Sequence, residues 1–569
     1  LQRRQDRFNV VLWGSFGGAY GHWGYRKLSR TGVTSVMSRA GSAANLTSTP
    51  FIAAWGNWKG EIDGQAFTFD QRATKPKPHP ETKVPTMVPT CWNDSQRFEK
   101  MLDVQDKHWQ AGMQKPVFVY NMYDEGPHSG CCLAPPCLEA YRTWLKERYG
   151  GDLKALNTEW LSDYRTWDQV TVLKENDTSE KEAKKQGIYA RWSDRKHFSE
   201  VNFCRTILAG QSRRAKLIDP QARIGFEGSG GFGMDFDELI GNTGFWCPYD
   251  GLQTEMVRSL KPPGYIHSFW VGYQKTADPL ISRTWRMVVN GAPSVWWWML
   301  KGRGRFHGWL GPNFMPYPEN QKYLDECILP LRRGLGDLLI NLDMSHDGMA
   351  VYYSVAAAHA GGIGDSAAYN SVDGAHSNVV KLAEDCALQW VYTTRKRLLD
   401  GDLARRGIKL LVLPFHQALD QDEVDVLRSF VQAGGTVLAD LRPGVYSGHC
   451  RPLEHGPAEA LFGIERTGKG KPVPIEGTLT VNLNGQDIPI SVRNNRADGE
   501  IKATTATVGG ELSGAPLFLV NRIGKGSAIL LNFHVTQYNG EREMSKGAKK
   551  RAFFRALTAA IGVQPPLRT

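Results

Sequence analysis

The chain has 569 residues, of which 41% are hydrophobic and 22% charged, and a formal net charge of +11. A single core stops growing at about 250–300 residues, so this length calls for two to four domains, and the composition excludes disorder. No apolar run approaches the roughly 18 residues of a membrane span, the basic residues form no nucleic-acid module, and phosphate-loop and dinucleotide motifs are absent, so the expected partners include neither membrane nor nucleic acid.

Up to about residue 345, strand-like runs alternate with helical ones. Residues 8–13 (FNVVLW), 33–37 and 51–55 (FIAAW) read as short strands. The stretch 74–85 (TKPKPHPETKVP) reads as a solvated loop, 95–113 as a helix and 116–123 (PVFVYNMY) as a buried strand. A helical stretch at 192–218 leads to 222–226 (ARIGF). Then come 244–249 (GFWCPY), 252–256, 265–270 (YIHSFW) and 294–300 (SVWWWML), one strand more than the pattern needs. Such alternation predicts an α/β fold with a parallel sheet ringed by helices. The span suits a (β/α)8 TIM barrel over 1–345, with catalytic residues at the carboxyl ends of its strands.

A second unit begins near Gly348. Residues 349–354 (MAVYYS) read as a strand, 379–399 as a helix, 408–413 (IKLLVL) as a buried strand and 420–433 as a helix stopped by Gly434 and Gly435. With a strand at 436–439, this predicts a doubly wound α/β domain over 346–465. From 466 to 569, alternating strands at 479–483, 488–492, 517–520 and 528–533 predict a small β-rich C-terminal domain, closed by a basic helix at 549–561.

The sharpest chemical feature is Asp124-Glu125 at the end of the strand 116–123. Successive side chains on a strand point to opposite faces, so one of the two carboxylates faces the barrel mouth. A carboxylic acid there, desolvated by aromatics, suits general acid work. Glycoside hydrolysis needs a second carboxylate, about 5–5.5 Å away in retaining enzymes and about 6.5–9.5 Å in inverting ones. Glu227, Asp250 and Glu255 are the candidates at later strand ends.

The chain holds 18 Trp. Trp13, Trp23, Trp55, Trp58, Trp270, Trp296, Trp297 and Trp298 fall at or near predicted strand ends, where indoles stack on sugar rings. Trp296 and Trp298 share one face and Trp297 takes the other. His22, His128 and His307 are candidates for sugar hydroxyls or sulfates. Nine Cys is an odd count and argues against a complete disulfide framework.

The run YNMYDEG at 120–126, followed by CLEAYRTWLKERYGGDLKALNTEWLSDYRTWDQV at 137–170, resembles the β-galactosidases of glycoside hydrolase family 42. Tyr141, Trp144, Leu145, Lys146, Tyr149, Gly150, Leu156, Asn157 and Trp160 match in order and spacing. The resemblance implies that Glu125 is the acid/base of a retaining, exo-acting β-galactosidase-like hydrolase that requires no cofactor. At the preceding position the family has an Asn that contacts the sugar; this chain has Asp124, which takes that place.

The family's nucleophile lies some tens of residues before a segment that Asn290-Gly291-Ala292 resembles, which points to Glu255, with Glu227 as runner-up. Substrate contacts are expected from Asp124, Trp13, Trp23, Trp55, Trp270, Trp298 and His307. Family members often hold a structural zinc with four Cys. Cys91, Cys131, Cys132 and Cys137 echo that set, with a disulfide and free thiols as the alternatives.

The segment KLLVLPFHQALDQDEVDVLRSFVQAGGTVLADLRPG at 409–444 resembles the family's amidotransferase-like trimerisation domain. It lacks a Cys at Pro414-Phe415-His416, so it is expected to be catalytically inert and to assemble a homo-oligomer, a trimer by resemblance. The expected partner is a carbohydrate substrate. The positive charge adds a sulfated or otherwise anionic galactan to the expectation. A non-catalytic glycan-binding protein on the same scaffold is the alternative.

Overall fold

The computed structural model describes residues 7–14, 16, 21–38, 51–54, 59–62, 65–69, 88–113, 117–125, 131–173, 180–228, 231, 233–300, 302, 307–363, 371–468, 470–483, 485–534 and 538–565. It comprises two compact units. One is formed by 1–145, 198–231 and 236–344, the other by 146–197, 232–235 and 345–569.

The first unit is a closed parallel barrel of eight strands. In chain order these are Asn9–Trp13, Ser35–Ser38, Phe51–Ala54, Val117–Asp124, Ile224–Glu227, Phe245–Cys247, Ile266–Val271 and Ser294–Trp297. The surplus strand is resolved: 252–256 belongs to a helix, Leu252–Leu260. Its buried Leu252, Met256, Val257 and Leu260 recur at helical spacing, and an apolar run of five cannot announce its period alone. The helix Ser95–Met113 forms as expected. The stretch 192–218 becomes Tyr189–Asn202, a π-helical turn Phe203–Leu208 and Ala209–Ile218. The predicted loop 74–85 lies outside the described residues.

The barrel interior is filled by Val11, Met37, Phe118, Val119, Phe245, Cys247, Ile266, Trp270 and Trp296, with Trp13, Tyr273 and Trp298 packed on top. Trp297 faces away, against Trp309 and Tyr323. The alternation expected across these three indoles therefore holds.

The second unit is a seven-stranded sheet. Its parallel core is Met349–Tyr353, Trp390–Thr394, Leu410–Leu413 and Thr436–Asp440. The expected helix 379–399 is broken. A helix Val372–Asp385 ends, the strand WVYTT follows, and Arg395–Leu399 is a new helix. That strand is β-branched and aromatic, which favours a pleated surface.

The tail after 466 is β-rich, as expected, but it does not stand apart. Gly526–Leu531 pairs in parallel with Thr436–Asp440, and Ala515–Ile523 and Thr507–Leu512 continue the same sheet antiparallel. The long hairpin of Pro472–Leu483 with Gln486–Asp498 forms its own two-stranded sheet, and Ile464–Arg466 pairs with Ile501–Ala503 in another.

Residues 146–197 join this unit, which the expected boundary at 345 did not foresee. The tie is Asp194, fully buried, which accepts from Arg148 Nε at 2.7 Å, Tyr149 Oη at 2.5 Å and Trp160 Nε1 at 2.8 Å. Burial pushes its carboxyl up, but the Arg148 charge and these donors outweigh that and hold it below the usual carboxylate range.

Candidate active site

The fourth barrel strand delivers its two carboxylates unequally. Its register with the fifth strand shifts between Asn121 and Asp124, which pairs with Glu227. Such irregularities re-aim side chains at barrel rims. Here the next residue, Glu125, takes a left-handed backbone (φ 51) and is exposed, while Asp124 is half-buried. Glu125 N–H donates to the Glu227 carbonyl at 2.9 Å, which locks the two strand ends together.

Tyr249, two residues past the sixth strand, donates its hydroxyl to Glu125 Oε1 at 2.6 Å. Burial, and then donation to Glu125, push that phenol up, so it stays protonated as a donor. The contact passes over Gly228 (φ 63). A Cβ there would lie 2.9 Å from Glu125 Cγ and 3.4 Å from the Tyr249 hydroxyl. Glycine is required on both counts.

Glu227 ends the fifth strand with 1% exposure. Its Oε1 accepts from Asn121 Nδ2 at 2.7 Å. Burial, then the nearby Asp124 charge, push its carboxyl well above the ordinary 4.5; the Asn121 bond opposes this and the Glu125 charge adds to it. Tyr273, after the seventh strand, is pushed up chiefly by burial and lies 6.2 Å from Tyr249, ring to ring.

The structure brings Trp13, Trp270 and Trp298 together as an aromatic wall. Trp13 lies 4.9 Å from Trp298 and 5.9 Å from Trp270, centroid to centroid. Trp23 is 46% exposed and packs against Phe314, with Lys27 over its ring. His307 stacks on Tyr317. Neither makes a ring contact with that wall among the described residues. Trp55, Trp58 and His128 lie outside the described residues, as does the side chain of His22.

Glu255 is not at a strand end. It sits in the first turn of the helix Leu252–Leu260, where Oε2 accepts from Arg258 Nε at 2.7 Å and Oε1 from Arg286 Nη2 at 3.0 Å. Both oxygens are committed to guanidinium groups, and the expected strand-end position is corrected to a helical one. Asp250 is likewise paired, with Arg283 at 2.7 Å. The seventh strand, IHSFWV, carries no carboxylate. Tyr249, Asn121, Tyr273 and Gly228 were missed by sequence reasoning. The signal for Tyr249 was its place beside Asp250 just past a strand.

The thiols of Cys91, Cys132 and Cys137 lie within 4.8 Å of one another. Cys132 N–H donates to Cys137 Sγ at 3.2 Å, and Cys131 hydrogen-bonds the same sulfur. Donation from Cys137 and then Cys91 pulls Cys132 down to about 3, while its neighbours are pushed up. All four cysteines are free of disulfides. Three converging sulfurs with a fourth alongside match the soft, tetrahedral donor set of zinc.

Comparison with known proteins bears on both units. Residues 97–218 match the family model described as "Beta-galactosidase", and residues 400–558 that described as "Beta-galactosidase trimerisation domain". No curated protein matches.

Several solved structures share the fold. A catalytic mutant of Gan42B, a family 42 β-galactosidase from G. stearothermophilus, is 15% identical with a TM-score of 0.72, covering 99% of this chain and 89% of its own. The β-galactosidase from Bacillus circulans sp. alkalophilus is 16% identical with a TM-score of 0.73, covering 99% and 90%. That from the haloarchaeon Halorubrum lacusprofundi is 14% identical with a TM-score of 0.68, covering 98% and 90%.

Proposed function

We propose that this chain is a family 42-like glycoside hydrolase, residues 97–218 and 400–558 matching that family's models, and that Glu125 is the acid/base carboxyl of an exo-acting β-galactosidase-like site. One observation carries this reading. Glu125 is exposed at the carboxyl end of the fourth barrel strand and accepts from Tyr249, within the same mouth as the Trp13–Trp270–Trp298 wall.

A carboxyl so placed exchanges a proton with the glycosidic oxygen, and the indoles hold the apolar face of the sugar. Asp124 and Glu125 gather acidic groups around the reacting bond, which favours a neutral galactoside there. A sulfated or anionic galactan, the reading motivated by the +11 net charge, would have to carry its anions away from the cleaved linkage. The retaining outcome, implied by the family resemblance, is read from the anomeric configuration of the released sugar.

Wild type and Glu125→Gln, run on a panel of aryl β-glycosides, galactans, sulfated galactans and mannans, test the reading. It predicts monosaccharide release by wild type that the variant loses. Full activity in the variant contradicts it. A binding-only barrel is the second reading, favoured by the missing carboxylate on the seventh strand. Glycan affinity without turnover would decide for it.

Two further proposals concern assembly. The match to a trimerisation domain motivates a homotrimer, to be checked as a solution mass three times the 63.5 kDa chain. The thiol cluster is proposed to hold a structural zinc through Cys91, Cys132 and Cys137 with Cys131 alongside. About one zinc per chain is expected by elemental analysis, lost on Cys137→Ala.

A further inference from the structure

Beneath the mouth lies an acceptor problem. Asn121 and Glu227 are both buried and share one hydrogen bond, from Asn121 Nδ2 to Glu227 Oε1. The other atom of each group, Asn121 Oδ1 and Glu227 Oε2, is buried with no hydrogen-bond partner. An amide oxygen and a carboxylate oxygen are both acceptors, and neither can satisfy the other. Leaving two such atoms dry costs about 1–3 kcal/mol each. Turning the amide over would set Oδ1 against Oε1, two acceptors at contact, which is no better.

One chemical change relieves this. A proton on Glu227 removes its charge and turns one of its two acceptors into a donor. The surroundings agree. Asp124 and Glu125 on the fourth strand, Cys247 ending the sixth and Tyr273 after the seventh are the titratable groups facing Glu227, with Tyr249 beyond Glu125. Each is an acid, and among the described residues no cation holds this carboxylate in place.

We propose that Glu227 carries a proton in the resting enzyme and acts as a positioning residue that presents a neutral carboxyl beneath Glu125. It is then neither a nucleophile nor an anion. With 1% exposure it is not placed to touch a sugar. Its neutrality leaves Glu125 facing no second negative charge across the hydrogen bond that joins the two strand ends. When alkali removes that proton, two adjoining carboxylates repel, and Glu125 loses its position. The consequence for turnover rests on Glu125 being the working carboxyl; the protonation state does not.

The test has two arms. Infrared spectra of wild type and Glu227→Gln, titrated from about pH 5 to 8, should show a carboxylic-acid carbonyl band that persists to neutrality in wild type and is absent from the variant. Because glutamine copies a neutral acid, Glu227→Gln should keep kcat within about tenfold and flatten the alkaline limb of the pH profile.

The proposal is overturned if no such band exists. It is equally overturned if Glu227→Gln loses about 10³-fold or more while azide restores Glu227→Gly, the signature of a nucleophile. Should the variant fold poorly, wild type labelled at the glutamate carboxyl carbon still reports whether one resonance stays protonated at neutrality. If wild type cleaves nothing, the Glu125 reading fails while the spectra still decide Glu227.

Discussion

Both units are built on parallel strands whose carboxyl ends carry residues in unusual backbone conformations. In the barrel that residue is Glu125 (φ 51); in the second unit they are Phe415 (φ 45), Leu441 (φ 23) and Arg442 (φ 59). The barrel leaves Glu125 exposed beside an aromatic wall. The sheet edge does the reverse. Ser354 bonds His416 and His534 bonds Asp440, all buried, and burial pushes His416 down to about 3, so it stays neutral.

Phe415 occupies the strand-to-helix turn where an amidotransferase would need its thiol. Strand ends are ligand sites in both architectures. The difference teaches that reactivity follows which polar groups face solvent.

The comparison breaks most clearly at Glu125. Glu125→Gln should lower product release by about 10²–10⁴-fold, measured as initial rate, with little change in melting temperature because the side chain is exposed. Glu255→Gln should do the opposite. It strips one partner from a buried ion pair and should cost about 3–5 kcal/mol in denaturant unfolding, while kcat of the folded enzyme stays near wild type. A kcat collapse there would restore Glu255 as a catalytic group.

Glu227→Gln sharpens the contrast through pH. A carboxyl raised above 4.5 on folding binds more protons folded than unfolded. Its contribution is full below that value and is lost as pH rises toward the folded value. Glutamine removes that loss, so the variant's melting temperature should overtake wild type progressively above pH 4.5. The gain is about 1.4 kcal/mol for each tenfold difference in proton affinity.

Trp298→Ala should raise KM about 2–10-fold through a lost stacking contact of about 0.5–1.5 kcal/mol, with a smaller effect on kcat. Smallest of all, Ser354→Ala should leave turnover unchanged and cost about 1 kcal/mol of stability. A change in kcat would show that the sheet edge is not inert.

Much of this layout was legible in the sequence. The alternation of runs announced the barrel, and the parity of Trp296, Trp297 and Trp298 announced which indoles face inward. The motif at 137–170 was the loudest signal, yet part of what it encodes is architecture: Tyr149 and Trp160 bind the buried Asp194. Asn157 closes a turn, bonding the Tyr164 carbonyl at 2.8 Å.

Spacing misplaced Glu255 because the stretch 252–256 read as a strand, and only packing reveals its helical period. The Tyr249–Glu125 bond joins residues 124 positions apart. The pairing of Gly526–Leu531 with Thr436–Asp440 is similarly remote. No local pattern predicts either.

The most direct test of the central claim is monosaccharide release from a β-galactoside by wild type and Glu125→Gln, purified and assayed side by side with folding checked by circular dichroism. The account predicts release by wild type and a loss of at least about 10²-fold in an equally folded variant. Equal release by both would contradict it, and would move the chemistry away from the fourth strand of the barrel.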